Sequence, residues 1–150
     1  LSRANVCLPT EEADMFLPKS DIFKDLRQKA INEISEIAAE EHHERGATLF
    51  SAGDPAHHFY ILVQGTVQLT LGEDKSREYV VRNLGETFGW SSVVGNDCYT
   101  ARAQCLIPTK VLKINRFDLE KVFDAHERSG RKFYMSLARQ LGQRLIDMHV

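Results

Sequence analysis

Between Thr48 and Ile114 the chain is cut into short runs rich in apolar and β-branched residues. They are Thr48–Phe50, Phe59–Val63, Thr66–Leu71, Glu78–Arg82, Tyr99–Leu106 and Lys110–Ile114. Turn-forming residues separate them at Gly53-Asp54-Pro55, Gln64-Gly65, Gly72-Glu73-Asp74, Gly95-Asn96-Asp97 and Pro108. Many short strands at close, regular spacing point to a sandwich or jelly roll and argue against alternating βαβ units.

Helical spacing flanks this region. Residues 1–19 carry Pro9 and Pro18 without periodicity and read as an N-terminal arm. Ser20 is placed to cap a helix, with Asp21 favourable to its dipole. Ile22, Phe23 and Leu26 make one amphipathic turn, and Ile31, Ile34, Ile37 and Ala38 a second. The polar run Glu40-Glu41-His42-His43-Glu44-Arg45 reads as the charged end of that helical region, stopped by Gly46. After the strands, Asn115-Arg116-Phe117-Asp118 opens a short helix expected to bury Phe117, Leu119, Val122 and Phe123. A longer helix follows Ser129-Gly130, with Tyr134, Ala138, Leu141, Leu145 and Met148 at the 4-3-4-3 spacing of a coiled-coil seam. The expected organisation is an arm over 1–19, a mainly β domain with flanking helices over 20–125, and a dimerisation helix over 126–150 that reads as truncated.

Composition narrows the function classes. A hydrophobic fraction of 43% suits one globular domain in 150 residues, and a net charge of -2 favours neither nucleic acid nor an anionic membrane. No apolar run approaches the roughly 20 residues that span a bilayer. Cys7, Cys98 and Cys105 are odd in number and widely spaced, so reduced thiols in the cytoplasm are expected. Leu1-Ser2-Arg3 is too polar for a signal peptide, and a first residue other than Met points to missing upstream sequence.

Gly46-Ala47-Thr48-Leu49-Phe50, Gly53-Asp54-Pro55-Ala56 and the stretch from Phe59 to Val67 together resemble the opening of a cyclic-nucleotide-binding domain, the sensor of the catabolite activator family. Leu84-Gly85-Glu86-Thr87-Phe88-Gly89 resembles the lead into that family's phosphate-binding cassette, and Thr100-Ala101 its close. The resemblance implies a β jelly roll (double-stranded β-helix) with a long C-terminal helix, and cyclic AMP or cyclic GMP as the ligand to consider. It also implies a short helix presenting amides to the phosphate, a glutamate for the ribose hydroxyl and an arginine for the phosphate. With Phe88-Gly89 as the start of the cassette, the glutamate's position holds Trp90 and the arginine's holds Tyr99, while Thr100 keeps the hydroxyl. Arg102 lies three residues past Tyr99 and is expected on the opposite face. Charged hydrogen bonds contribute about 1.5–3 kcal/mol each, so losing both weakens cyclic nucleotide binding by orders of magnitude. The candidate ligand residues are Gly89, Trp90, Ser91, Ser92, Tyr99, Thr100 and Ala101. Trp90 and Tyr99 either fill a vacated pocket or form a stacking platform for another planar ligand.

Other constellations are weaker. His57 and His58 are adjacent, hence on opposite strand faces, and His42 and His43 are expected in solvent, so no metal site is expected. A cupin enzyme needs two histidines separated by one residue and then a glutamate, and Phe59 to Gln64 contains no acid. Cys7 stands alone, where a redox cluster would need several cysteines. Arg128, Arg131, Lys132, Arg139 and Arg144 of the terminal helix read as a solvated basic face, and no DNA-reading element follows them. The sequence thus describes a non-enzymatic regulatory module that forms a homodimer through its last helix. A small-molecule sensor with an altered pocket is the alternative, and a cupin-type enzyme a distant third.

Overall fold

The six runs become strands, and two further strands lie where the apolar pattern is silent. A computed structural model of the protein describes Leu17, residues 20–72 and residues 77–148. Strands β1 (Ala39–His43), β3 (His58–Gln64), β6 (Thr87–Phe88) and β8 (Thr109–Asn115) form one antiparallel sheet in the order β1-β8-β3-β6. Strands β2 (Thr48–Phe50), β4 (Val67–Leu71), β5 (Arg77–Val81) and β7 (Ala101–Cys105) form the second, β2-β7-β4-β5. Helix α1 (Gln28–Ile37) precedes the strands, and α2 (Arg116–Ala125) and α3 (Glu127–Met148) follow them. This is the mainly β jelly roll with flanking helices that the family resemblance implies.

The middle of β3, from Phe59 to Val63, is apolar and buried because both of its faces are covered. Phe59, Ile61 and Val63 pack with Leu112 and Ile114 beneath the helices. Tyr60 and Leu62 face the second sheet, among Val67, Leu69, Val81 and Ala103. The helical layer centres on Phe133 of α3, whose ring lies 5.4 Å from Phe23, 5.7 Å from Phe59 and 5.0 Å from Phe123. Gly130 permits this approach: a Cβ there would stand 2.9 Å from the Cβ of Phe123.

Several expectations are corrected. The run Glu40–Arg45 does not end a helix, because Ala39–His43 forms β1 and pairs with β8 from Ala39↔Lys113 to His43↔Thr109. His43 is buried, its Nε2 2.9 Å from Glu41 Oε1, while Lys113 Nζ lies 3.3 Å from Glu41 Oε2. The inward residues of this strand are polar groups that satisfy one another, so no apolar alternation marks it. Residues 21–25 form turns rather than a capped helix: the Ser20 carbonyl accepts from the amides of Phe23 and Lys24, and α1 begins only at Gln28. Phe117, expected in the core, is 47% exposed, with the Arg116 guanidinium 4.6 Å above its ring. The N-terminus of α2 is instead fixed by Asn115, whose Oδ1 accepts from the amides of Phe117 and Asp118.

In α3, Phe133 and Leu137 are buried and Leu141 packs on the same core, so Leu141 leaves the expected seam. Tyr134, Ala138 and Leu145 face outward, with Leu145 59% exposed. Most of the expected arm, with Cys7, and the side chain of Met148 fall outside the described residues, whereas Leu17 is buried.

Burial first, and then the positive charge of Lys113, hold the His58 imidazole down to about 4 from its ordinary 6.5. Burial would raise the carboxyl pKa of Glu41, but the His43 hydrogen bond and Lys113 outweigh it and leave it below 4.5. The unfolded chain therefore binds protons that the fold refuses, and stability is expected to fall as pH drops from 6.5 toward 4. Glu41 carries the loss further below 4.5. Urea denaturation across this range is expected to give a slope that His58→Gln flattens above pH 4.5; an unchanged slope would place the titration elsewhere.

Candidate ligand site

Strand β6 delivers the chain to Gly89, which lies at φ 72°. A Cβ there would meet Tyr60 Cδ1 at 2.9 Å and the His58 carbonyl at 3.1 Å, so both conformation and space require glycine. A single 3-10 turn, Trp90–Ser92, follows. The Ser92 hydroxyl donates to the Gly89 carbonyl at 2.9 Å, and the Asn96 amide to the Ser91 carbonyl at 3.1 Å, which closes the loop on itself. Its far end is tied to the β2–β3 connection. Ala56 donates to Asp97 at 2.8 Å, Tyr99 to Asp54 at 3.0 Å and Gly53 to Tyr99 at 2.9 Å, all through backbone groups. Arg116 secures the other side, its Nη1 lying 3.2–3.5 Å from the carbonyls of Ala56, Ser92 and Asn96.

Tyr99 is buried where this loop meets β7. Its ring stacks on Phe50 at 3.8 Å between centroids and 15° between planes. Its hydroxyl donates to the His58 carbonyl at 2.7 Å and accepts from the His58 amide at 3.1 Å. Burial raises the phenol pKa, so Tyr99 is neutral at physiological pH. Trp90 is half-buried and packs against the helical core while also reaching the cavity beside Tyr99.

That cavity, about 70 Å³, gathers Gly89, Trp90, Ser91, Tyr99, Thr100 and Ala101 against Leu69, Leu71 and Tyr79 of the second sheet. Ser92 is the one candidate that does not line it, being buried and turned back on Gly89. Arg102 sits on the outer face of β7, with its guanidinium on Gln104. Glu86 lies outside the cavity in the turn between β5 and β6. Its Oε1 accepts from the amides of Arg82 and Asn83, and its Oε2 from the Tyr79 hydroxyl at 2.5 Å. Among the described residues no group of three metal-binding side chains occurs.

The sequence reading missed Arg144, the one ionised side chain of the cavity wall. Read as part of a solvated face, it is in fact 6% exposed. Its Nη2 donates to the Thr87 carbonyl at 2.6 Å and lies 3.4 Å from Glu86 Oε2, and its Cζ sits 4.5 Å over the Tyr79 ring. The signal was present in the spacing, since Phe133, Leu137, Gln140 and Arg144 follow one helical stripe.

A cyclic nucleotide-binding domain model matches residues 40–126, more than half of the chain. The chain belongs to the cyclic nucleotide-binding domain family. It is 32% identical over 108 residues to a cGMP-dependent protein kinase (isozyme 2 forms cD5/T2) of Drosophila melanogaster, a match spanning 70% of this chain and 12% of the kinase. Among solved structures, a cyclic nucleotide-binding domain from Methylobacillus flagellatus KT superposes with a TM-score of 0.79 at 15% identity, over 99% of this chain and 85% of that one. The sensor domain of the transcriptional regulator DNR from Pseudomonas aeruginosa gives 0.71 at 21% identity, over 91% and 93%. These two likenesses establish the cyclic nucleotide-binding fold. The kinase itself is far longer than this chain, and the match spans about an eighth of it.

Tyr99→Phe removes a hydroxyl that satisfies both backbone groups of His58. The variant is expected to lose about 1–3 kcal/mol in urea denaturation, the range for buried polar groups left unpaired. A neutral substitution would show that the hydroxyl does not hold the cassette.

Proposed function

We propose that this chain is a non-catalytic regulatory domain of the cyclic nucleotide-binding type in which recognition of cyclic AMP and cyclic GMP is weak or lost. The observation that carries this reading is Tyr99, buried, stacked and doubly hydrogen-bonded beside a cavity of about 70 Å³. Small-molecule pockets usually enclose about 300 Å³ or more. Trp90 stands at the position that the family resemblance gives to an acid, and Tyr99 at the position it gives to a base. A cyclic nucleotide entering the cavity would forgo one charge-assisted contact to its ribose hydroxyl and one to its phosphate, while the phosphate would still lose its water.

A second reading has its own support: Trp90, Ser91 and Thr100 border the cavity, which suits a compact planar ligand that is not a cyclic nucleotide. Output in either case runs through α3, by a parallel homodimer that buries Tyr134, Ala138 and Leu145. The free thiols of Cys98 and Cys105 suit a reducing, cytoplasmic setting. No helix among the described residues is long and apolar enough to cross a membrane. We assign no nucleic-acid contact to these residues.

Titration calorimetry with cyclic AMP and cyclic GMP is expected to give dissociation constants weaker than about 10 μM, or no binding. A tighter constant for either overturns the reading. Sedimentation at tens of micromolar is expected to give a dimer that Leu145→Glu combined with Ala138→Glu converts to a folded monomer. A monomeric wild-type protein rules the seam out.

A further inference from the structure

Of the five basic residues that the sequence places on the terminal helix, Arg144 alone is buried; Arg128, Arg131, Lys132 and Arg139 are exposed. It also divides two spaces. One is the cassette cavity, and the other is an open cleft of about 870 Å³ between α3, the turns at 20–25 and the β5–β6 connection. Tyr79 and Arg144 border both.

The hydrogen bonding around this guanidinium is lopsided. Nη2 is occupied by the Thr87 carbonyl and Glu86, yet Nε and Nη1 are buried with no hydrogen-bond partner among the described residues. A guanidinium offers five N–H donors, and burying them unpaired is unfavourable. Glu86, in contrast, already accepts from two amides and the Tyr79 hydroxyl, so it has partners without Arg144. The arrangement holds a cation with spare donors against a cavity whose other lining groups are neutral.

We propose that Arg144 is the charged contact for an oxyanion-bearing ligand of the cassette cavity, so that the positive charge absent from the cassette itself is supplied by α3. The shared chemistry is a phosphate or carboxylate oxygen, which accepts a charge-assisted hydrogen bond from Nε or Nη1; these lie on different edges of the guanidinium, so a two-bond grip also needs Nη2, which Glu86 shares. Nε and Nη1 are covered in this state, so an anion reaches them only when the last turns of α3 shift. Binding is thereby coupled to the helix that carries the proposed dimer seam. The inference rests on the reading of the cavity as an altered ligand site.

The test titrates two pairs of probes, each an anion with an uncharged counterpart: cyclic AMP with adenosine, and benzoate with benzyl alcohol. The readout is the emission of Trp90, the chain's only tryptophan and part of the cavity wall. At least one anion is expected to bind about tenfold or more tightly than its counterpart. Arg144→Gln is expected to erase that preference, and Arg144→Lys, which keeps the charge without the fork, to retain part of it. Glu86→Gln removes the acid that competes for the guanidinium and is expected to strengthen anion binding; thermal unfolding without ligand checks the fold of each variant.

The proposal is overturned if neither anion is preferred, if the preference survives Arg144→Gln, or if Glu86→Gln leaves anion affinity unchanged. Where Arg144→Gln does not fold, the Glu86→Gln result decides. Cyclic AMP binding at low micromolar that depends on Arg144 would sink the weak-binding reading and leave this inference standing. Weak binding with no anion preference would sink the inference alone.

Discussion

A charge held between two β-sheets must be paired, because removing an ion from water is among the most unfavourable steps a folded protein can take. That constraint organises this domain. The cavity beside the cassette carries no acid and only one base among its lining residues, and that base arrives from the terminal helix. Where the family resemblance places an acid and a base, the chain has a half-buried indole and a buried phenol. Such neutral replacement of buried ions need not weaken a fold. Tyr99 is held there by a face-to-face stack on Phe50 and two hydrogen bonds to the backbone of His58.

The second consequence is mechanical. The first half of α3 is held by apolar contacts, with Phe133 set among Phe23, Phe59 and Phe123. Its second half adds polar contacts to the packing of Leu141: Gln140 Oε1 accepts from the amide and hydroxyl of Thr87, and Arg144 donates to the Thr87 carbonyl. Thr87 lies on β6, the edge strand that leads directly into Gly89. The position of the helix and the start of the cassette are therefore fixed by the same two-residue strand.

Six of the eight strands were legible because turn residues and β-branched runs report period and boundary directly. Gly89, Trp90, Ser91, Tyr99, Thr100 and Ala101 meet around one cavity, and the glycine at the sharp turn and the small hydroxyl before β7 are local features that a sequence displays. What escaped were side chains whose role depends on a partner distant in sequence. Strand β1 hides its alternation because Glu41 and His43 satisfy each other and Lys113 lies on β8. Phe117 looks like core but serves as a platform for Arg116. Arg144 was grouped with its exposed neighbours, although it continues the stripe of Phe133 and Leu137; a basic residue on an inward stripe is ambiguous until the surface it meets is known.

The central claim is that loss of the charged pair, and not loss of the fold, sets the affinity of this cavity for cyclic nucleotides. The most direct measurement is a calorimetric comparison of wild type with the double variant Trp90→Glu and Tyr99→Arg, after circular dichroism has verified that both are folded. The account predicts that the double variant binds cyclic AMP or cyclic GMP at least about a hundredfold more tightly than wild type, the equivalent of about 2.7 kcal/mol. Equal affinity in the two folded proteins, or tighter binding by wild type, would contradict it.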